Sequence, residues 1–335
     1  MYDKNNIECT RNQESENINI LLDTTKSGQV RPWKEKKMGS QKLADSYYRL
    51  GNYKKAKLVR FCGSTLLYKI NPETGTKKLY SADFCKVRLC PMCSWRRSLK
   101  IFSQVSKIMD VLCMSKKYNF IFLTLTVKNC SGEELSNEID KLFYGFNKFT
   151  KKTAFVKAIN GWFRALEITH NTNKNSKSYD TYHPHFHMIL QVNPSYFKSK
   201  YYLKHKDWQK MWHDVMGLDY VPQVYVEKAN AKNLSGAVAE LAKYTVKDKD
   251  YIIKNDISLT DNSVKTLDAA LRSRRLCAFG GMMKKVHQEL KFDDSENGDL
   301  IHVEDEKVER EDLASVLVMY RWHIGVNNYV CEKIK

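Results

Sequence analysis

No apolar run in these 335 residues approaches the ~20 needed to span a bilayer, so a membrane protein is not expected. Met1–Glu8 is polar and charged and lacks the apolar segment of a secretory leader, which points to a cytoplasmic chain. In that setting the nine cysteines are expected to stay reduced, and a disulfide-stapled secreted scaffold is excluded. No internal repeat is visible. Nothing around Cys90-Pro91-Met92-Cys93 reads as a βαβ unit, so this Cys-x-x-Cys does not fit a thioredoxin-like redox motif. An overall acidic surplus is also missing: 56 Lys and Arg stand against 38 Asp and Glu, a net charge of +18. The acid that is there is concentrated late. Phe292–Asp312 holds ten Asp or Glu against Lys307 and Arg310, a net of −8 that leaves +26 for the remainder. A surplus of that size implies contacts with phosphates. The nineteen tyrosines add rings on which unpaired bases can stack, though most belong to a core or an ordinary surface.

What the chain does have is chemistry at regular spacing. In His183-Pro184-His185-Phe186-His187 the histidines alternate, and alternate residues of a β-strand share a face. Phe186, Met188 and Leu190 would pack the opposite face. Three imidazoles on the wetter face suit a divalent ion better than a core. Upstream, Phe163–Thr169 reads as another strand with Glu167 facing away from Leu166 and Ile168. The polar run Asn171–Tyr182 then reads as a hairpin loop that folds Glu167 back toward His185 and His187. Two imidazoles, one carboxylate and open positions suit Mg²⁺ or Mn²⁺ holding a phosphate. Asn233–Lys247 reads as a helix with Leu234, Ala237, Val238 and Leu241 as its buried stripe. Glu240, Tyr244 and Lys247 stack on another face. A phenol is a weak nucleophile until a polarised phosphate and nearby groups assist it.

The second signal is Cys85-x4-Cys90-x-x-Cys93. A structural zinc ion needs four thiolates or imidazoles in a tetrahedron, and Cys62 is the fourth candidate. Around these motifs the patterns predict a basic helix over Gln41–Lys57, a strand-like Lys57–Phe61 and a helix near Ser94–Met114. They predict further helices over Leu135–Lys152, Lys204–Met216 and Glu309–Tyr320, and a terminal strand over Arg321–Cys331. Arg96, Arg97, Arg274, Arg275 and Lys284 are candidate phosphate contacts, and Gly280-Gly281 permits a close backbone approach. Residues 1–30 are expected to be disordered and 31–115 to hold the basic helix and zinc element, in contact with DNA. Residues 116–290 would be the catalytic domain and 291–335 an acidic linker with a C-terminal extension. The expected class is α+β: a central antiparallel sheet carrying the histidines, with covering helices, plus the N-terminal zinc element.

Phe122–Thr126, Glu167-Ile168-Thr169, His183–His187 and Glu240-x-x-x-Tyr244 resemble, in that order, motifs of the plasmid rolling-circle replication initiator (Rep) proteins of the HUH endonuclease superfamily. The match is to the branch whose active site is Glu-x-x-x-Tyr, and it covers roughly residues 60 to 290. The resemblance implies that Tyr244 attacks one strand of plasmid origin DNA, single-stranded or cruciform at the nick and duplex beside it. A 5′-phosphotyrosyl adduct and a 3′-OH primer would result. It implies that His185, His187 and Glu167 hold the catalytic ion and that Glu240 helps water end the round; Lys247, on the Tyr244 face of the expected helix, is a further catalytic candidate. His183 would support its neighbours. The partners implied are a host helicase and replication machinery in a bacterial cytoplasm, and a homodimer is compatible with it. Two alternatives stay open here: a single-tyrosine HUH transposase or relaxase, and a zinc-containing DNA-binding regulator without catalysis.

Overall fold

The computed structural model describes residues 19–25, 27–116, 118–229, 238, 246–303 and 315–332. Its strands among those residues are β1 (Thr65–Ile70), β2 (Lys77–Ala82), β3 (Asn119–Thr126), β4 (Gly161–Asn171), β5 (Thr181–Val192), β6 (Val224–Lys228), β7 (Cys277–Gly280), β8 (Val316–His323) and β9 (Asn328–Glu332). The helices are α1 (Trp33–Arg49), α2 (Tyr53–Phe61), α3 (Pro91–Lys116), α4 (Leu135–Phe149), α5 (Thr153–Ala158), α6 (His205–Met216), α7 (Ile257–Ala270) and α8 (Gly281–Glu289). The chain divides into two compact units, Met1–Arg96 with Asp299–Lys335, and Arg97–Gly298. The class is mixed α+β as expected, with two antiparallel sheets rather than one.

The first unit holds the sheet β2-β1-β8-β9. Trp33 is its anchor, edge-on to Trp95, Tyr68 and Tyr329. Asp23 is buried beneath it and accepts from Trp33 Nε1 at 2.7 Å and the Tyr68 hydroxyl at 2.9 Å. Asp23 lies in the stretch expected to lack structure, where Ile20 also bridges Val330. The single basic helix expected over Gln41–Lys57 is instead a helical hairpin. Gly51 takes a left-handed φ of 74°, which ends α1, and Asn52 restarts the helix by accepting from the Lys55 amide. Lys57–Phe61 therefore lies in α2, not in a strand. Val316–Tyr320, expected at the end of a helix, is strand β8, because β1 and β9 supply a hydrogen-bonding partner on each edge. Seven described cysteines are free thiols, but Cys331 is disulfide-bonded, against the expectation of an all-reduced chain. Its backbone pairs with Asn19, so the N-terminal segment runs beside it; the bonded partner lies outside the described residues.

The second unit is built on the sheet β6-β3-β5-β4-β7. Period two sorts the central strand: Phe186, Met188 and Leu190 are fully buried on one face, and the histidines line the other. Phe143 and Phe146 of α4 meet Phe186 edge-on at 5.4 and 5.3 Å, and Phe146 meets Trp162 of β4. Burying such a ring contributes on the order of 2–3 kcal/mol, so this layer fixes the strands that position the site. From α6, Trp212 donates to the Thr126 carbonyl at the end of β3. The Gly280-Gly281 pair serves the chain's own packing. A Cβ on Gly280 would strike the Trp162 ring, and Gly281 is left-handed against the Asn160 carbonyl. The start of the acidic run is no linker. Asp293 pairs with Lys100, Asp294 pairs with Arg275, and buried Glu296 accepts from the Leu276 and Cys277 amides.

Candidate active site and metal centre

β4 and β5 pair so that Glu167 lies directly opposite His185, and β3 sets Thr124 opposite His187. On the face away from α4, Glu167 Oε2 is 2.9 Å from His187 Nε2 and 3.7 Å from His185 Nε2, and the two imidazole nitrogens are 3.0 Å apart. About 3 Å is the edge of an octahedron with bonds of ~2.1 Å, so the three donors are spaced for one small divalent ion. Their orientation agrees. His185 Nδ1 donates to the His183 carbonyl at 3.0 Å, and His187 Nδ1 faces Thr124 Oγ1 at 3.1 Å. With an acceptor for a proton on each Nδ1, each Nε2 can give up the hydrogen it offers Glu167 and turn its lone pair to a metal.

Lys247 completes the group, its Nζ 2.8 Å from Glu167 Oε1. Burial by itself would push the Glu167 carboxyl up. Hydrogen bonds from His185, His187 and Lys247 outweigh that and hold it well below the usual carboxylate range. The site is therefore a fixed anion with cationic and neutral donors around it. His183 stacks on His185 with centroids 5.0 Å apart; Pro184 has not turned it to the other face. It lies outside the group of converging ligand atoms and serves through its carbonyl. Glu240 and Tyr244 lie outside the described residues. The chain reappears at the site with Lys247, three positions past Tyr244.

Two residues beneath the site carried no sequence signal. His170 bridges the Asp250 carbonyl at 3.0 Å, Ser263 Oγ at 3.2 Å and the Asp180 carboxylate at 2.8 Å, and it stacks flat on Tyr182. It thereby ties the turn that follows Lys247 to β4, to the β4–β5 hairpin and to α7. Asp250 itself is buried, with Oδ2 unpartnered among the described residues. Burial pushes its carboxyl up to about 6, Glu167 adds to the shift, and Lys249 and Lys247 oppose it. An acid whose folded pKa exceeds its unfolded value of about 3.9 loses stability as pH rises between the two. Asp250→Asn should therefore match the wild type near pH 4 and exceed it by about 2–3 kcal/mol above pH 7. Urea denaturation in magnesium-free buffer checks this; a difference independent of pH would refute it.

In the first unit Cys62, Cys85, Cys90 and Cys93 converge, with all four sulfurs within 4.8 Å of one another. Cys62 and Cys93 are 3.5 Å apart and Cys85 and Cys93 3.7 Å, close to the ~3.8 Å edge of a tetrahedron with 2.3 Å metal–sulfur bonds. The amides of Cys85 and Lys86 point at the sulfurs of Cys62 and Cys93. Helix α1 closes the cluster: Ser40 Oγ lies 3.4 Å from Cys90 Sγ. Buried Lys37 donates to the carbonyls of Arg60 and Cys62 and to Ser64 Oγ at 2.7–2.8 Å. Burial lowers the Lys37 ammonium to about 8, while the nearby thiols act to raise it. It sits four residues after Trp33, on the buried side of α1.

The arginines expected at phosphates are mostly occupied. Arg96 and Arg97 are buried and donate to the carbonyls of Leu300 and Ile301 and of Glu296, so neither guanidinium reaches the surface. Arg274 clamps Asp140 and Ser136, and Arg275 pairs with Asp294. Lys284 is exposed on α8. Among the described residues no helix is long and apolar enough to cross a membrane.

The chain is 40% identical to "Protein rep" of Bacillus amyloliquefaciens, over 95% of this chain and 99% of that one. It is 39% identical to "Protein rep" of Lactiplantibacillus plantarum, over 92% and 98%, and 37% identical to that of Streptococcus pneumoniae, over 92% and 95%. No solved structure matches it. Residues 76–330 match the family described as "Replication protein", a span that includes the Glu167–His185–His187 group and Cys85, Cys90 and Cys93. The chain belongs to the Replication protein (Rep_1) family.

Proposed function

We propose that this replication protein initiates rolling-circle replication of a plasmid by nicking one strand of its double-strand origin. The observation that carries the reading is the convergence of Glu167, His185 and His187 at 2.9–3.7 Å, with Lys247 on the other carboxylate oxygen. These three residues would hold Mg²⁺ or Mn²⁺, and the four cysteines would hold Zn²⁺. A divalent ion bound at Glu167 supplies positive charge that polarises a phosphate. Tyr244 Oη attacks the scissile phosphorus. An O–P bond to the tyrosine forms, the bond from phosphorus to the 3′-oxygen breaks, and the proton lost by the phenol is matched by the one the departing 3′-OH gains. Lys247, held by Glu167, follows Tyr244 by three residues in the chain and supports charge at the phenolate. Glu240, four residues before Tyr244 in the sequence, acts as general base for water at the second strand transfer, which ends the round without a second adduct.

The test is incubation of the pure protein with a supercoiled plasmid carrying its origin and Mg²⁺ or Mn²⁺. The expected product is nicked DNA with protein on its 5′ end. Tight but wholly reversible binding, with the DNA left intact, would overturn the reading in favour of a non-catalytic regulator.

A further inference from the structure

The helical hairpin α1–α2 carries a surface that neither metal site uses. α2 buries only Ala56 and Val59. Along its outer side Tyr53, Lys57 and Phe61 follow at i, i+4 and i+8, about 6 Å apart along the axis, and Lys54 and Leu58 form the adjacent row. Tyr53 is 62% exposed and Phe61 59%. Tyr48, also 62% exposed at the end of α1, meets the Tyr53 ring at 5.1 Å across the turn. α2 contains no acidic residue, and Lys54 and Lys57 have no carboxylate partner among the described residues.

Exposed rings interleaved with unpaired lysines match the needs of an unpaired DNA strand, whose bases stack while its phosphates meet the ammonium groups. Other occupants fit less well. Lysine is depleted from the centres of protein interfaces, and duplex-binding surfaces are polar and cationic without a use for Tyr53, Leu58 and Phe61. A single interfacial helix of two turns is short for a membrane anchor. We infer that α2, with Tyr48, is a second binding face for single-stranded DNA, separate from the nicking site. It holds the unpaired strand through stacking on Tyr53 and Phe61 and through Lys54 and Lys57. The inference rests on the reading of the chain as a nicking replication protein, since nicking and strand displacement supply the unpaired DNA.

The experiment titrates the full-length, zinc-loaded protein into a fluorescent oligo-dT of about 20 nucleotides, which spans more than one stacking site. Tyr53→Ala and Phe61→Ala should each weaken binding about tenfold, while Tyr53→Phe and Phe61→Tyr restore it because the ring remains. Lys57→Ala should instead reduce the slope of log affinity against log salt by about 0.7. Melting temperature, zinc content and nicking of a short oligonucleotide bearing the nick site should be unchanged in all of them. Unaltered oligo-dT affinity in both alanine variants would overturn the proposal. So would an equal loss for a duplex of the same length, a loss confined to anionic vesicles, or a change in oligomeric state with DNA binding intact. If the wild type fails to nick its origin but binds oligo-dT in this ring-dependent way, the nicking reading falls and the strand-binding face stands.

Discussion

Replacing Cys90 or Cys93 with Ser, or stripping the ion with a strong chelator, should unfold the first unit rather than merely loosen it. Cys62, Cys90 and Cys93 are almost fully buried, so an unliganded cluster leaves thiols packed in a space shaped for an ion. Burial disfavours a thiolate at Cys90, yet the surrounding thiols and the Ser40 hydroxyl outweigh it and draw that sulfur toward ionisation. Cys62 and Cys93 are pushed the other way, Cys62 chiefly by its hydrogen bonds with the neighbouring thiols and Cys93 chiefly by burial, so a metal must displace their protons to bind. Zinc binding in small zinc domains is worth roughly 10–16 kcal/mol, against a total stability of about 5–15 kcal/mol for a typical domain. Loss of one ligand therefore decides whether the unit folds.

The damage should spread along identifiable contacts. Lys37 links α1 to the Cys62 carbonyl, and Tyr329 of β9 donates to the Gly63 carbonyl at 2.6 Å. Both the helical hairpin and the C-terminal strand pair should lose protection from hydrogen exchange when the ion leaves. Lys37→Met keeps the stem but removes the buried ammonium beside the four cysteines, and should weaken zinc retention about 10- to 100-fold. Elemental analysis and a chelator competition read both effects. Zinc-free protein with an unchanged melting temperature would defeat the structural role of the centre.

The contrast between what the sequence shows and what it hides follows from range. The strand of histidines is legible because its period of two is local, and Glu167 is legible because its own strand alternates in the same way. The cysteines are legible because metal chemistry restricts their spacing. Lys37 is hidden, because a lysine at one position of a helix reads as a solvated residue until the fold brings the Arg60 and Cys62 carbonyls to it. Arg96 and Arg97 read as a basic cluster, but their acceptors lie about two hundred positions away, in carbonyls at 296–301. The acidic run reads as a linker for the same reason: the amides that Glu296 caps belong to residues 276 and 277. Val316–Tyr320 of strand β8 is misread as the end of a helix because its partner β1 is some 250 residues earlier. In each case a short-range pattern is overridden by a partner distant in the chain.

Tyr244→Phe and His187→Ala should both abolish origin nicking, but for separable reasons. The phenylalanine keeps the ring and removes only the oxygen proposed to attack. Nicking should fall at least about 10³-fold, with origin binding and Mn²⁺ binding retained. His187→Ala removes the donor that lies 2.9 Å from Glu167 Oε2 and 3.0 Å from His185 Nε2. Two ligands and the Lys247 ammonium then remain, and that cation at 2.8 Å competes for the carboxylate that the ion needs. Mn²⁺ affinity should therefore drop together with nicking in this variant, and raised Mn²⁺ should recover part of the activity. The fold should hold in both, because Phe186 and Met188, on the opposite face of β5, supply the packing. Calorimetric Mn²⁺ titration beside a nicking assay separates the two outcomes. Mass spectrometry that places the DNA on another tyrosine would remove Tyr244 from the mechanism. Unchanged Mn²⁺ affinity in His187→Ala would remove the histidine from the metal site and leave Glu167 and Lys247 as an ordinary buried ion pair.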